Sequence, residues 1–422
     1  MVQLLIVLKK GIFMNFNEML KKYATLIAKS GINVQPGQEI FLNAQVENVE
    51  FVRLVTEELY KAGAKNVDII WSDDKLDKIK YENAPMSVFE NIPEWKAVQK
   101  NSAAQNGAGF VYIDSSDPDG LTGIDPKKPA ALVKAGMKAY KTYRDHMDKG
   151  LNTWCIVATP SSKWAKKIFP EMTEEKAVES LWEAICKAVR IDAEDPIEAW
   201  DNHRRTFEEK IKLLNSKQFE KLHFESTNGT DITIGMIKEH VWAGGGARTP
   251  NGVYYFPNMP TEEIFVSPDN RLANGKVVAS KPLCYQGTMI ENFGFTFKDG
   301  EIVDFYAEKG YETLKELVNT DDGSKRLGEV ALVPVKSPIS EMGILFYNTL
   351  FDENAACHLA IGRGFNECVA NAENMSEEEL KAKGLNVSAT HVDFMFGTAD
   401  MKITGFDKDE NETVIFKNGN WA

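Results

Sequence analysis

The sequence predicts an α/β protein: an N-terminal α/β domain on a mostly parallel sheet, then a C-terminal α+β domain with antiparallel strands. Three observations carry this. Short apolar strands alternate with amphipathic helices through the first half of the chain. In the second half, Asn228-Gly229 and Asp299-Gly300 each separate two strand-like runs, as hairpin turns do. And 422 residues exceed what one hydrophobic core ordinarily organises.

From Phe16 the apolar positions Phe16, Met19, Leu20, Tyr23 and Ile27 fall on one helical face, and Gly31 stops the run. Pro36-Gly37 introduces a strand over Ile40 to Leu42. A second amphipathic helix turns Phe51, Val52, Val55, Leu59 and Ala62 inward and ends at Gly63. Further strands are expected at Val67 to Trp71, Phe110 to Ile113 and Trp154 to Ala158, with helices between them, which indicates a parallel sheet covered on both faces. Asp195-Pro196 with Glu198 reads as a capped helix start, running to about Leu214. Hairpins follow: Leu222 to Thr227 with Asp231 to Met236, and Phe293 to Phe297 with Ile302 to Tyr306. The break falls near 215–220, giving an N-terminal domain over 14–217 and a C-terminal domain over 218–422. Residues 1–13 read as an extension or an alternative start, since Met14 opens a much better helix.

Composition narrows the partners. Acidic residues outnumber basic ones, 62 to 49, for a net charge of −13. A nucleic-acid binder needs a cationic surface to displace counterions, and an anionic membrane would repel this chain. The acidity suits a cytoplasmic protein. Five cysteines (Cys155, Cys186, Cys284, Cys357, Cys368) without a CxxC pair exclude a disulfide framework and a thiolate zinc site. The apolar run Met1 to Leu8 is too short to span a bilayer, and Lys9 and Lys10 follow it where a signal peptide would have them precede.

Nucleotide and nucleophile motifs are missing. Gly107-Ala108-Gly109 and Gly362-Arg363-Gly364 lack a third glycine at dinucleotide spacing, and no Walker A, HExxH or GxSxG pattern occurs. Among the six histidines, His146 and His203 sit in charged helical stretches and are expected to be solvated, and His223 and His240 to be structural. His391 differs. In Thr390 to Gly397, period-two alternation puts His391 and Asp393 on one strand face, with Val392, Phe394 and Phe396 on the other. That pair suits a divalent cation, or equally a buried His–Asp hydrogen bond or an exposed face. His358 follows the polar triplet Asp352-Glu353-Asn354, and Cys357 beside it suits the core. Asp352 reads equally well as a helix cap. Glu329 lies in an apolar strand, where burial requires a metal or a cation such as Arg326. Glu262-Glu263 follows Pro257-Asn258-Met259-Pro260, a setting that is often plain surface loop.

Together these segments resemble the aminopeptidase T/aminopeptidase S family of two-metal aminopeptidases (peptidase family M29). The resemblance rests on Asn258 to Phe265, Arg326 to Val333, Phe351 to His358 and His391 to Met395, in that order, and extends to Gly31–Gln38 and Gly63–Val67. It implies that Glu263, Glu329, His358, His391 and Asp393 surround two divalent metal ions (zinc, cobalt or manganese), with Glu263 favoured over Glu262. It implies Glu329 between the ions and as base, or Glu353 as base, and a homodimer acting on peptides. One departure stands out: the family's tyrosine seven residues after the first histidine is Phe365 here. Either the reaction slows, or another donor such as Tyr347 takes the role, or substrate preference differs. Two rivals follow: a metal-binding scaffold without peptidase activity, and a metal-dependent amidase on a non-peptide substrate.

Overall fold

The computed structural model describes residues 5–7, 13–285 and 288–422. The extension expected over 1–13 lies largely outside the described residues; within them, Leu5–Val7 pairs antiparallel with Phe13–Asn15. The chain divides into two compact units, residues 1–203 with 246–260 and residues 204–245 with 261–422.

In the first unit four strands form a wholly parallel sheet, in the order Asn66–Ser72, Glu39–Gln45, Gly109–Asp114, Trp154–Ala158. All four strands expected from the sequence are present, each at or slightly beyond its expected limits. The helices follow the same logic. Asn15 caps Phe16–Leu26 through its side chain, and a π-turn over Ile27–Gly31 carries the helix to the expected glycine stop. Val49–Lys61 buries Phe51, Val52, Val55 and Leu59. Asp195 accepts hydrogen bonds from the Ile197 and Glu198 amides, which starts Pro196–Lys217.

The second unit is built from antiparallel strands. Both expected hairpins form: Lys221–Glu225 with Asp231–Met236, and Thr288–Lys298 with Glu301–Lys309. They belong to one sheet, nine-stranded among the described residues, and a five-stranded sheet accompanies it. Side chains of both sheets meet in one core, where Phe295 packs at 4.9 Å, ring tilted, against Phe394 of the smaller sheet. Packing of this kind fixes the smaller sheet to within ångströms. No described helix is long and apolar enough to cross a membrane.

Candidate metal centre

The five-stranded sheet is the platform. His391–Met395, His358–Gly362, Leu327–Leu332, Ile264–Val266 and Ala243–Gly244 lie side by side in that order, all antiparallel. Its register sets Glu329 opposite Ala360 and Ala360 opposite Asp393, with His391 opposite Gly362 and His358 opposite Ala331. Directly opposed residues project to the same side, and so do residues two apart. Glu329, His358, His391 and Asp393 therefore share one face, with the small Ala331 and Ala360 between them. Phe265 pairs with Ala331, so Glu263, two residues earlier, joins the same side. The opposite face sends Val330, Leu332, Leu359, Ile361 and Phe394 into the core.

One irregularity makes this possible. Leu327 pairs with Ile361 but Glu329 with Ala360, so Gly328 is an extra residue, a bulge. Strict alternation would turn Leu327 and Glu329 the same way. The bulge lets Leu327 enter the core while Glu329 faces the site. Glycine is required there, because a Cβ would lie 2.3 Å from the carbonyl oxygens of both Gly362 and Arg363.

His358 Nε2 is 3.1 Å from Glu263 Oε2. His391 Nε2 is 3.2 Å from Glu329 Oε2 and 3.3 Å from Asp393 Oδ1. Each imidazole is held from behind: His358 Nδ1–H donates to the Ala356 carbonyl at 3.2 Å, and His391 Nδ1–H to that of Arg363 at 2.6 Å. Because carbonyls only accept, Nδ1 carries a proton in each ring, which leaves Nε2, facing the carboxylates, as the atom that takes up either a second proton or a cation. Two groups result, Glu263–Glu329–His358 and Glu329–His391–Asp393, with candidate ligand atoms within 4.8 Å of one another in each. Glu329 belongs to both.

The electrostatics express a demand for positive charge. Burial opposes charging of the histidines, yet the Glu263 carboxylate raises His358 to about 10. Asp393 and Glu329 likewise raise His391 to about 11, against the same opposition from burial. Burial, countered by His391 and reinforced by Asp393 and Glu263, lifts Glu329 to about 7. Burial and then Glu263 and Asp393 push Glu353 well above the carboxylate range. Protons at these Nε2 atoms and a divalent cation between them satisfy the same need. Asp393 Oδ1, moreover, is buried without a hydrogen-bond partner, despite His391 at 3.3 Å. A donor set of two imidazole nitrogens and three carboxylates fits zinc, cobalt or manganese chemistry.

Glu353 belongs to neither group but shares with Asp393 the wall of a cleft, together with Tyr347, Asp352 and Met395. Glu262 does not join the groups. Its backbone amide donates to Asn354 Oδ1 at 2.6 Å, which fixes the turn that delivers Glu263. Arg326 does not neutralise Glu329; it reaches the Asn270 carbonyl and Glu301. Phe365 packs its ring 4.8 Å from that of His391 and 5.3 Å from that of Phe265. Asp352 does not cap the turn Glu353–Ala355 that follows it; its carboxylate reaches back to accept from the Phe346 and Asn348 amides.

Other expectations need correction. His146 and His203 are half-buried rather than solvated: His146 lies 3.2 Å from Asn152 Oδ1, and His203 is 3.2 Å from Arg190 with its ring edge-on to Trp200. The sequence reading also missed the supports of His391. Asn386 donates to the Gly362 and Gly323 carbonyls, and Asp321 accepts from the Ala389 amide and the Ser388 hydroxyl. These contacts pin the segment that leads into the strand. A signal was available in Gly362-Arg363-Gly364, whose Arg363 carbonyl orients His391. Gly362 has φ +109°, and a Cβ there would strike the Thr390 carbonyl.

Comparison with known proteins finds relatives over nearly the whole chain. The sequence pattern of the family described as thermophilic metalloprotease (M29) matches residues 16–421. Aminopeptidase AmpS of Bacillus subtilis (strain 168) is 48% identical over 408 residues, covering 97% of this chain and 99% of that protein. Aminopeptidase 2 of Geobacillus stearothermophilus is 45% identical over 403 residues, covering 96% and 97%. The solved structure of wild-type AmpT from Thermus thermophilus superposes with a TM-score of 0.90 at 38% identity, covering 96% of this chain and 100% of that one.

Proposed function

This chain belongs to the thermophilic metalloprotease (M29) family and is a metal-dependent aminopeptidase, and from that premise we propose that it holds two divalent cations on one sheet face. Glu263, Glu329 and His358 would hold one ion, and Glu329, His391 and Asp393 the other. The observation that carries this reading is the sharing of Glu329 by two groups whose imidazoles both present Nε2. When bound, such ions lower the pKa of a water, polarise the scissile carbonyl and bind a free amine.

The chain's own residues supply the rest. His358 and His391 keep fixed tautomers through the Ala356 and Arg363 carbonyls, so neither has to reorient as substrate enters. Glu329 offers one buried carboxylate to both positions. Glu353, outside both groups but on the cleft wall, would take the proton from the attacking water and return it to the leaving amine nitrogen once bound cations bring its raised pKa back into the carboxylate range. Leu283, Met289, Leu345 and Met395 give the cleft an apolar side, which suits an apolar N-terminal side chain.

The finer attributes complete the reading: zinc, cobalt or manganese as the ions, a cytoplasmic location in keeping with the net charge of −13, and a homodimer. Residues 14–217 would form the N-terminal domain and 218–422 the catalytic one, since every proposed ligand lies in the latter. The deciding experiment compares a panel of short peptides with free and N-acetylated termini, with metal content measured on the same sample by mass spectrometry. Free peptides should lose their first residue while blocked ones resist, and two metal equivalents should accompany full activity. Equal cleavage of both, or a rate indifferent to chelation, sinks the reading.

A further inference from the structure

Phe365 places a ring without a hydroxyl beside His391. Among the described residues lining the cleft that holds Glu353 and Asp393, one phenol is present, Tyr347. Its backbone is unusual. Tyr347 has φ +56°, a left-handed conformation that bulky residues rarely adopt and that concentrates at functional sites.

The surroundings over-determine that conformation. The Asp352 carboxylate, 8% exposed, accepts from the Phe346 amide at 2.8 Å and from the Asn348 amide at 3.0 Å, on either side of Tyr347. Phe346 is fully buried and stacks at 4.7 Å on Phe351. Asn348 caps the helix Thr349–Asp352 by accepting from the Leu350 amide. Both neighbours of Tyr347 are thus anchored to one short helix, which leads straight into Glu353. A turn held this firmly keeps a strained tyrosine in the wall of the reaction cleft.

We propose that Tyr347 is a catalytic residue of this aminopeptidase: its hydroxyl donates a hydrogen bond to the scissile carbonyl oxygen as negative charge develops there, a role for which residue 365 has no hydroxyl. The inference rests on the cleft being the reaction site. Water oxygen bonds to the carbonyl carbon, the carbon–nitrogen bond breaks, and the water's proton leaves with the amine. Tyr347 keeps its own proton throughout. A donor of this kind acts where charge forms, so its removal slows turnover and leaves ground-state binding alone.

The test uses the metal-loaded protein and three variants: Tyr347→Phe, Phe365→Tyr and the double variant. With an aminoacyl 4-nitroanilide, Tyr347→Phe should lower kcat ~10²-fold, the scale of one lost oxyanion donor, with KM within about twofold. Calorimetry supplies a readout apart from turnover: Tyr347→Phe should weaken binding of a phosphonate dipeptide, a tetrahedral mimic, by a similar factor and leave the product amino acid unaffected. Adding Phe365→Tyr to Tyr347→Phe should recover part of the loss. A Tyr347→Phe variant that keeps kcat within about twofold, or loses only KM, overturns the proposal. So does loss of metal content or melting temperature in proportion to the lost rate, which would make Tyr347 structural. If wild type cleaves blocked and free peptides alike, the N-terminal selectivity fails, while the effect of Tyr347→Phe on amide hydrolysis is still read on the same substrates.

Discussion

Glu329 and Glu353 are both buried carboxylates of one site, and paired substitutions separate their roles. Glu329→Gln keeps the shape of the side chain and removes its charge from both candidate groups. Two unit charges about 4 Å apart interact by ~4 kcal/mol at an effective dielectric of ~20, and a divalent ion doubles this. Against it stands the cost of keeping a carboxylate buried, on the order of several kcal/mol. A residual of ~3 kcal/mol per ion weakens each by ~10²-fold. Dialysis against micromolar metal followed by mass spectrometry should then find Glu329→Gln depleted in both ions, and turnover should fall ~10²-fold or more. Glu353→Gln lies outside both groups, so it should keep its metal and still lose ~10²-fold in kcat, the scale of general-base help. A Glu329→Gln protein with full metal content and normal turnover refutes the shared-ligand reasoning. A Glu353→Gln protein with normal kcat removes Glu353 from proton transfer.

Three further outcomes follow from the same geometry. Gly328→Ala would push a methyl group to 2.3 Å from the Arg363 carbonyl that orients His391, so melting temperature and metal occupancy should fall together in calorimetry and metal analysis. Phe365→Tyr adds a hydroxyl to a half-buried ring against His391 and should leave activity equal or higher in the aminoacyl anilide assay. Metal-free protein should melt lower as pH rises from neutrality to about 11. The folded-state values of His358 and His391, raised to about 10 and about 11 from 6.5, contribute stability present below about 6.5 and lost through those values, and the raised Glu329 acts with the same sign. Metal-loaded protein, with cations in place of those protons, should not share the fall in a thermal-shift series.

Much of this site was legible because strands have a period of two. His391 and Asp393 share a face by spacing alone, and Val392 between them with Phe394 and Phe396 beyond identifies the buried side. The hairpins were legible for a similar reason, since Asn-Gly and Asp-Gly fit few backbones other than tight turns. Glu329 was harder. Its strand alternates wrongly, with Leu327 two residues away in the core, and only the long-range partner Ile361 reveals the bulge. His358 carries no periodic signal of its own, because all five residues of His358–Gly362 are buried. Its face is set by registration against Ala331 and Met395, 27 and 37 positions away. Asp352 was open to two readings, a site carboxylate or a helix cap, and its carboxylate accepts from the amide of Asn348, the residue that caps Thr349–Asp352, and from that of Phe346.

The same sheet explains why so much charge can be concentrated in one place. Glu263, Glu329 and Asp393 on one face would each cost on the order of several kcal/mol if buried alone, and proximity adds mutual repulsion. The opposite face carries the opposing term, an aromatic core in which Phe293, Phe295 and Phe394 pack at centroid distances of 4.9 to 6.0 Å. Core packing therefore holds the carboxylates in positions they would leave if the sheet were free to relax. Protons on His358 and His391 offset that strain only at pH values below their raised pKa values, whereas divalent cations offset it at any pH that leaves the carboxylates ionised. Binding energy is stored in the folded chain before metal arrives. The affinity of the proposed site thus depends on the rigidity of the core on the opposite face of the sheet, and substitutions at Phe295 or Phe394 would be felt as weakened metal binding as well as lost stability.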